Sequence, residues 1–407
     1  MTTPAVRRRH VFFFSGFDPK GAAYYHRLYA DGAARQQHSS GHTLQVGPRE
    51  RTDERHAQGW KLAWQPGTAE QVDSRFEFLG WDDLVRAHWP KGVFGVAVGS
   101  VLAYVAALSS GLALVRVWRQ SRRTLVALAY PAVFWLLALA GGALLGKMVA
   151  SAAASIGAPV PWAPAVSAAW FWGWGGATCA SIWWAALRLE RRLHTSWLLR
   201  IYRFADLWAS GKLPDLDQRL DAMAERVFQR VRAQDVDEVL LVGFSVGSML
   251  STSVLARVLL KCRRARVEVP NGSLSMLTLG QCVPLLGLMP RAQVFRQELR
   301  ELSQTPGLCW TDYSSPGDWG SFALVDPLQI CRIAPPGAHT LVPRMRSPRF
   351  HTLFDPQDYA VLKKDKRRLH LQYLMAAPIA GGYDYFRLTA GPGRLCSDTA
   401  ANDRTNP

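Results

Sequence analysis

Three stretches in the middle of this chain contain no charged residue: Gly92 to Val115, Leu125 to Gly146, and Ala158 to Leu187. Each is long enough to cross a hydrocarbon layer as a helix. Basic residues flank them, with Arg116, Arg119, Arg122 and Arg123 on one side and Arg188, Arg191, Arg192, Arg200 and Arg203 on another. A soluble core must then be assembled from two separated pieces. The expected organisation is residues 1–90 and 189–390 as the halves of one domain, residues 91–188 as a membrane insert, and residues 391–407 as a loose polar tail.

Both halves of one domain lie on the same side of a bilayer, so the number of full crossings must be even. The basic segments 116–123 and after Leu187 are expected on the cytoplasmic side. The second and third runs then form an out-and-back hairpin, and the first run is re-entrant or interfacial; the rival arrangement, with the first and second runs as the hairpin and the Trp-rich third run on the surface, places the Arg-rich loop outside. The domain formed by the two flanking halves is expected to be cytoplasmic, on a multi-pass or hairpin anchor.

The net charge is +17, from 48 Lys+Arg against 31 Asp+Glu. No compact basic run is interleaved with aromatics, which disfavours nucleic acid as the partner. Basic clusters beside apolar runs fit anionic head groups instead. The six cysteines are scattered, with no C-x-x-C and no Cys/His metal spacing. They are expected to be reduced, buried thiols, and no metal or cofactor is expected.

Outside the insert, strand and helix signals alternate. Residues 10–14, 43–46, 60–64, 75–79, 239–242, 273–279 and 309–313 read as strands. Residues 20–36, 188–210, 214–234, 248–260 and 355–366 read as helices. This alternation predicts an α/β layer architecture.

Gly243-Phe244-Ser245-Val246-Gly247 falls between a strand and a helix. A G-x-S-x-G in that context lifts the serine hydroxyl clear of the backbone at a helix N-terminus. A serine needs a base, and the base needs an orienting acid. Acids after Ser245 are Asp312, Asp318 and Asp326; Asp318, in the loop beyond a strand, is favoured over Asp312 within it. Bases are His339, His351 and His370, with His370 favoured, and the histidine that faces Ser245 decides among them. For an oxyanion, Val246 N–H supplies one donor, and Gly16 or Phe17, after the first strand, supplies the other.

The GFSVG turn, the early Ser15-Gly16-Phe17 loop and the later Asp and His resemble an α/β-hydrolase of a lipase-like kind. Thr278-Leu279-Gly280 and Tyr313-Ser314-Ser315-Pro316-Gly317-Asp318 are similar to the corresponding stretches of class 3 lipases. The resemblance covers residues 10–18 and 237–375. It implies a sheet with helices on both faces, here interrupted by a transmembrane helical insert, and a serine esterase using Ser245, His370 and Asp318. The expected partners are a membrane and an ester or lipid substrate. The alternative is a non-catalytic scaffold that keeps the fold as an interaction module. The acyl chain, the head group and the oligomeric state are left open.

Overall fold

The computed structural model describes residues 5–89, 111–157, 164–193, 195–334 and 342–396. Most of the first apolar run, the start of the third, His339 and the end of the tail lie outside them. The chain divides into two compact units. One comprises Met1–Trp89, Val105–Thr124 and Phe204–Pro407; the other comprises Pro90–Tyr104 and Leu125–Arg203.

The first half runs β1 (Arg8–Phe14), α1 (Ala22–Ser40), β2 (Leu44–Val46), β3 (Glu50–Arg51), β4 (Ala57–Trp64), β5 (Val72–Leu79) and α2 (Asp82–Ala87). Next come α3 (Gly111–Gln120), α4 (Arg122–Gly157), α5 (Pro164–Leu193), α6 (Thr195–Ala209) and α7 (Pro214–Ala233). Then follow β6 (Glu238–Phe244), α8 (Gly247–Ala265), β7 (Leu274–Leu279), α9 (Val283–Gly287), α10 (Gln293–Ser303) and β8 (Cys309–Tyr313). The last elements are α11 (Pro327–Ile330), β9 (Arg344–Arg346), α12 (Pro356–Lys364), α13 (Lys366–Leu371) and α14 (Tyr385–Ala390).

The strands form one mixed nine-stranded sheet in the order β2-β4-β5-β1-β6-β7-β8-β9, with β3 on β4. From β5 to β9 the neighbours are parallel; β2, β3, β4 and β5 pair antiparallel. The protein is therefore α/β, as the alternating pattern predicts. β1 lies between β5 and β6, so one strand joins the halves on either side of the insert.

Alternation along the strands sends side chains to both faces. Val11, Phe13, Leu240, Val242, Phe244, Leu277 and Leu279 join Tyr25 and Tyr29 of α1 and Tyr385 and Phe386 of α14 in one buried cluster. Each such side chain contributes about 1.5–3 kcal/mol by leaving water. On the other face Gly243 lies against Ser248 and Ser251 of α8, leaving no room for a side chain. Helices thus cover both faces.

Within the second unit, α4 and α5 run antiparallel. Trp170 Nε1 donates to Ala153 O (3.1 Å), Cys179 Sγ to Gly142 O (3.1 Å), and Tyr130 OH to Leu193 O (2.8 Å). Where the helices cross, a Cβ on Gly146 would meet Gly175 O at 3.0 Å. Small residues here let the backbones touch, a common packing in lipid. Leu136, Leu137, Leu144, Trp172 and Trp184 point outward and are exposed. Among the described residues, one helix, over Arg122–Ile156, is long and apolar enough to cross a membrane. The third run forms α5, whose Trp, Gly, Ser and Thr content and charged end leave it short of that mark.

One expectation is corrected. Cys309 and Cys396 are joined as a disulfide, tying β8 to the segment after α14, while Cys179, Cys262, Cys282 and Cys331 are free thiols. The pairing is invisible in spacing because the two residues are 87 positions apart. The basic stretch 116–123 forms the end of α3 and the first turn of α4, and it packs with the sheet-bearing unit. Arg116 donates to Ile330 O (2.5 Å) there.

Candidate active site

Adjacent parallel strands β1, β6, β7 and β8 all end at the same edge of the sheet, so the loops that follow them converge. In open α/β sheets that carboxyl edge is where ligands bind. Gly16, Phe17, Ser245 and Asp318 lie in these loops, and His370 lies on a helix that reaches them.

Ser245 follows β6 and has φ 55°. A left-handed φ on a non-glycine residue is strained and persists only where the surroundings fix it. The fixing contacts are visible. Ser245 N–H donates to Leu279 O of β7 (2.9 Å). Ser248 OH donates to Ser245 O (2.5 Å), and Ser248 Oγ accepts from Cys282 N–H (2.9 Å). Both motif glycines are sterically required: a Cβ on Gly243 would overlap Ser251 Oγ, and one on Gly247 would overlap the Phe14 carbonyl oxygen. The turn thus needs small residues two positions either side of the serine because α8 and the end of β1 press on it.

Ser245 is only 2% exposed. Its Oγ lies 3.9 Å from Cys282 Sγ, and a Cβ on Gly16 would sit 3.5 Å from that Oγ. The Ser15-Gly16-Phe17 loop is therefore beside the hydroxyl. Val246 is the N-cap of α8, so its N–H belongs to the first turn, where amide donors lack partners within the helix. Gly16, Phe17 and Val246 are brought to one place. Phe17 is held there by Trp81, Trp89 and Phe204 rings at 5.1–6.0 Å.

His370, on α13, is buried with its ring 5.0 Å from that of Phe244, the residue preceding Ser245. Its Nδ1 lies 2.8 Å from Asp318 Oδ2. Asp318 is fully enclosed. Burial alone would raise its carboxyl, but the His370 charge and hydrogen bonds from His370, Gly320 N–H and Ser321 outweigh it and hold the group below the ordinary range. An ionised carboxylate only accepts, so Nδ1 carries the proton and Nε2 is the basic nitrogen. Tyr373 OH donates to the same Asp318 oxygen (3.0 Å) and accepts from Ser315 N–H (2.7 Å). Gly320 closes the site: a Cβ there would meet His370 Nδ1 at 3.0 Å, and its carbonyl lies 3.4 Å from Cys282 Sγ.

The remaining candidates are elsewhere. Asp312 lies within β8, accepting from Thr278 OH and Ser314 OH at 2.7 Å each, and burial pushes its carboxyl up to about 7. Asp326 caps α11 by accepting from Leu328 N–H (2.8 Å). His351 is exposed, with its ring 6.3 Å from Tyr359. His339 lies outside the described residues.

Three residues of this site escape sequence reasoning. Ser248 locks the turn to Cys282, Cys282 stands beside Ser245 Oγ, and Tyr373 steadies Asp318. Burial pushes the Cys282 thiol up to about 12, so it stays neutral beside Ser245. Only Tyr373 left a trace, three residues after His370 and hence on its helical face. Comparison with protein-family models, curated proteins and solved structures finds no match.

Proposed function

We propose that this protein is a membrane-anchored serine hydrolase that cleaves an ester, with an acyl lipid as the substrate class, on an α/β-hydrolase-like sheet. The observation that carries the reading is the strained Ser245 at the head of α8, one residue from a ring contact with a His370 whose Nδ1 is held by an ionised Asp318.

The chemistry follows from those groups. Ser245 Oγ attacks the acyl carbonyl while His370 Nε2 takes its proton. Asp318 stabilises the imidazolium and fixes the tautomer. The oxyanion is received by Val246 N–H and by the Gly16 or Phe17 N–H; one such donor is worth about 2.7–4 kcal/mol. His370 returns the proton to the departing alcohol, and water then repeats the sequence to free the acid.

The lipid assignment draws on the anchor. A helix of 35 residues spans about 50 Å, more than the hydrocarbon thickness of about 30 Å. Its first turn belongs to the sheet-bearing unit, where Arg123 Nη1 reaches Pro316 O of the loop that carries Asp318 (3.5 Å). Polar ends of membrane helices sit at the head-group level, so the acid loop is tethered to the bilayer surface. We read α4 and α5 as a membrane hairpin that anchors the hydrolase unit.

The test is a fluorophosphonate probe applied to membranes containing the wild type and Ser245→Ala. Labelling of the wild type that vanishes in the variant is the expected result. Equal labelling of both would sink the assignment, and absence of labelling in both would favour the scaffold role.

A further inference from the structure

The helices that carry His370 turn a second face to solvent. Lys363, Lys364, Lys366, Arg367 and Arg368 lie at the end of α12 and on α13, and all are exposed. Among the described residues none of them is paired with a carboxylate. Asp365, between them, is engaged as the N-cap of α13, accepting from Arg368 N–H (2.9 Å).

Two of these cations lie against aromatic rings. Lys366 lies 5.2 Å from the ring centre of Trp319, and Lys363 lies 5.5 Å from that of Tyr359. Trp319, the residue after Asp318, is 42% exposed, and Val361 on α12 is 61% exposed. On its other side Trp319 shares a cleft of about 60 Å³ with Ser121, Arg123 and Pro316. Beyond that, Arg122 lies 5.1 Å from the ring centre of the exposed Trp118. Trp319 thus meets Lys366 of the base-bearing helix and shares a cleft with Arg123 in the first turn of the long apolar helix.

An ordinary solvated basic face has its cations dispersed among carboxylates and no reason to expose indoles. Unpaired cations mixed with exposed tryptophan, bordering an apolar helix, match the chemistry of a phospholipid head-group layer. Lysine and arginine meet the phosphates, and indole takes the polar–apolar boundary. We propose that the cations of residues 363–368, with Trp319 and Arg123, form a docking surface for an anionic phospholipid bilayer. Docking there holds His370 and Asp318 at the head-group level. The surface itself stands on this patch alone; its consequence for turnover rests on the function proposed above.

The experiment uses the full chain in lipid nanodiscs and follows backbone hydrogen exchange. Exchange over residues 356–371 should slow several-fold when phosphatidylcholine discs are replaced by discs with about 30% phosphatidylserine. Salt at about 0.5 M should remove the difference, because it shortens the screening length to a few ångströms. The variant Lys363→Gln/Lys364→Gln/Lys366→Gln changes exposed side chains only and should abolish the slowing, at about fivefold in binding per cation. Equal exchange in the two kinds of disc, or slowing that survives in the variant, overturns the proposal. So does protection produced by a soluble polyanion such as heparin but not by the anionic discs. Fluorophosphonate labelling of Ser245 in the same samples separates the two readings: labelling without docking removes the surface and leaves the hydrolase, and docking without labelling does the reverse.

Discussion

Tyr373 and His370 donate to the same oxygen of Asp318, the phenol at 3.0 Å and the imidazole at 2.8 Å. The acid is thus held from two sides by side chains one helical turn apart. Removing the phenol in Tyr373→Phe deletes a hydrogen bond to a charged group, worth roughly 1.5–3 kcal/mol. We expect kcat on a short-chain chromogenic ester to fall about tenfold or more with KM unchanged. Asp318→Asn should be harsher, by about 10⁴-fold, because the amide favours the wrong imidazole tautomer. Steady-state kinetics on both variants checks the pair.

Asp312 offers a pH signature separate from the chemistry. Burial raises its carboxyl from 3.8 to about 7 in the folded protein. Between those values the folded state binds the proton that the unfolded state has lost. Stability from this group is therefore present below about pH 4 and is lost as pH rises through about 7. Asp312→Asn should flatten that decline, by about 4 kcal/mol at most, and leave ester turnover near wild type. Thermal melts from pH 4 to 8 read the slope directly.

Gly247→Ala should destabilise the fold even though it places a good helix former at the start of α8. The propensity gain is about 1 kcal/mol, whereas the new methyl overlaps the Phe14 carbonyl and must push β1 or α8 aside. A net loss of about 3 kcal/mol, or roughly 10 °C in Tm, is expected. A Tm at or above that of the wild type would show that the elbow is looser than described.

In the hairpin of α4 and α5 the contact to break is at Gly146. Gly146→Leu drives a side chain into Cys179 Sγ and the Gly175 backbone, so α4 and α5 must separate. Van der Waals packing is the main attraction between helices in lipid. The variant in detergent should lose helicity at a lower temperature by circular dichroism, whereas Gly141→Leu, which faces open space, should not.

Cys309 and Cys396 report the compartment. Disulfides persist in oxidising compartments and are reduced in the cytosol. Alkylation of the denatured protein from freshly lysed cells should modify four of the six cysteines, because the bonded pair is protected; modification of all six would place the sheet-bearing unit in the cytosol. A reporter fused after residue 407 gives an independent reading of the same side.

The sheet was legible wherever a strand is apolar and bounded by turn residues. Cys309 to Tyr313 matches β8 at both ends, and Leu216 to Val231 at helical spacing matches the buried face of α7. The two-residue β3 and the charged β9, Arg344–Arg346, carry no such pattern, because pairing with neighbours alone makes them strands. In the site, Ser245 announced itself through two glycines that the packing requires. Asp318 and His370 could be placed only by chain order and loop position. What separated Asp318 from Asp312 was burial among hydroxyls against contact with imidazole, which is a tertiary fact. Cys282 and Ser248 left no sequence signal, since their roles come from β7 ending beside the elbow.

β1 has one further consequence. It pairs with β5, made just after it, on one side, and with β6, made only after the whole apolar insert, on the other. During synthesis the β6-facing edge of β1 waits, unpaired and flanked by phenylalanines, until residues 238–244 have left the ribosome. Such an edge invites aggregation. If α4 and α5 enter a bilayer as proposed above, they are made before β6, and the nascent chain is tethered before its sheet closes. Ser245, the residue after β6, takes its position only in that final step.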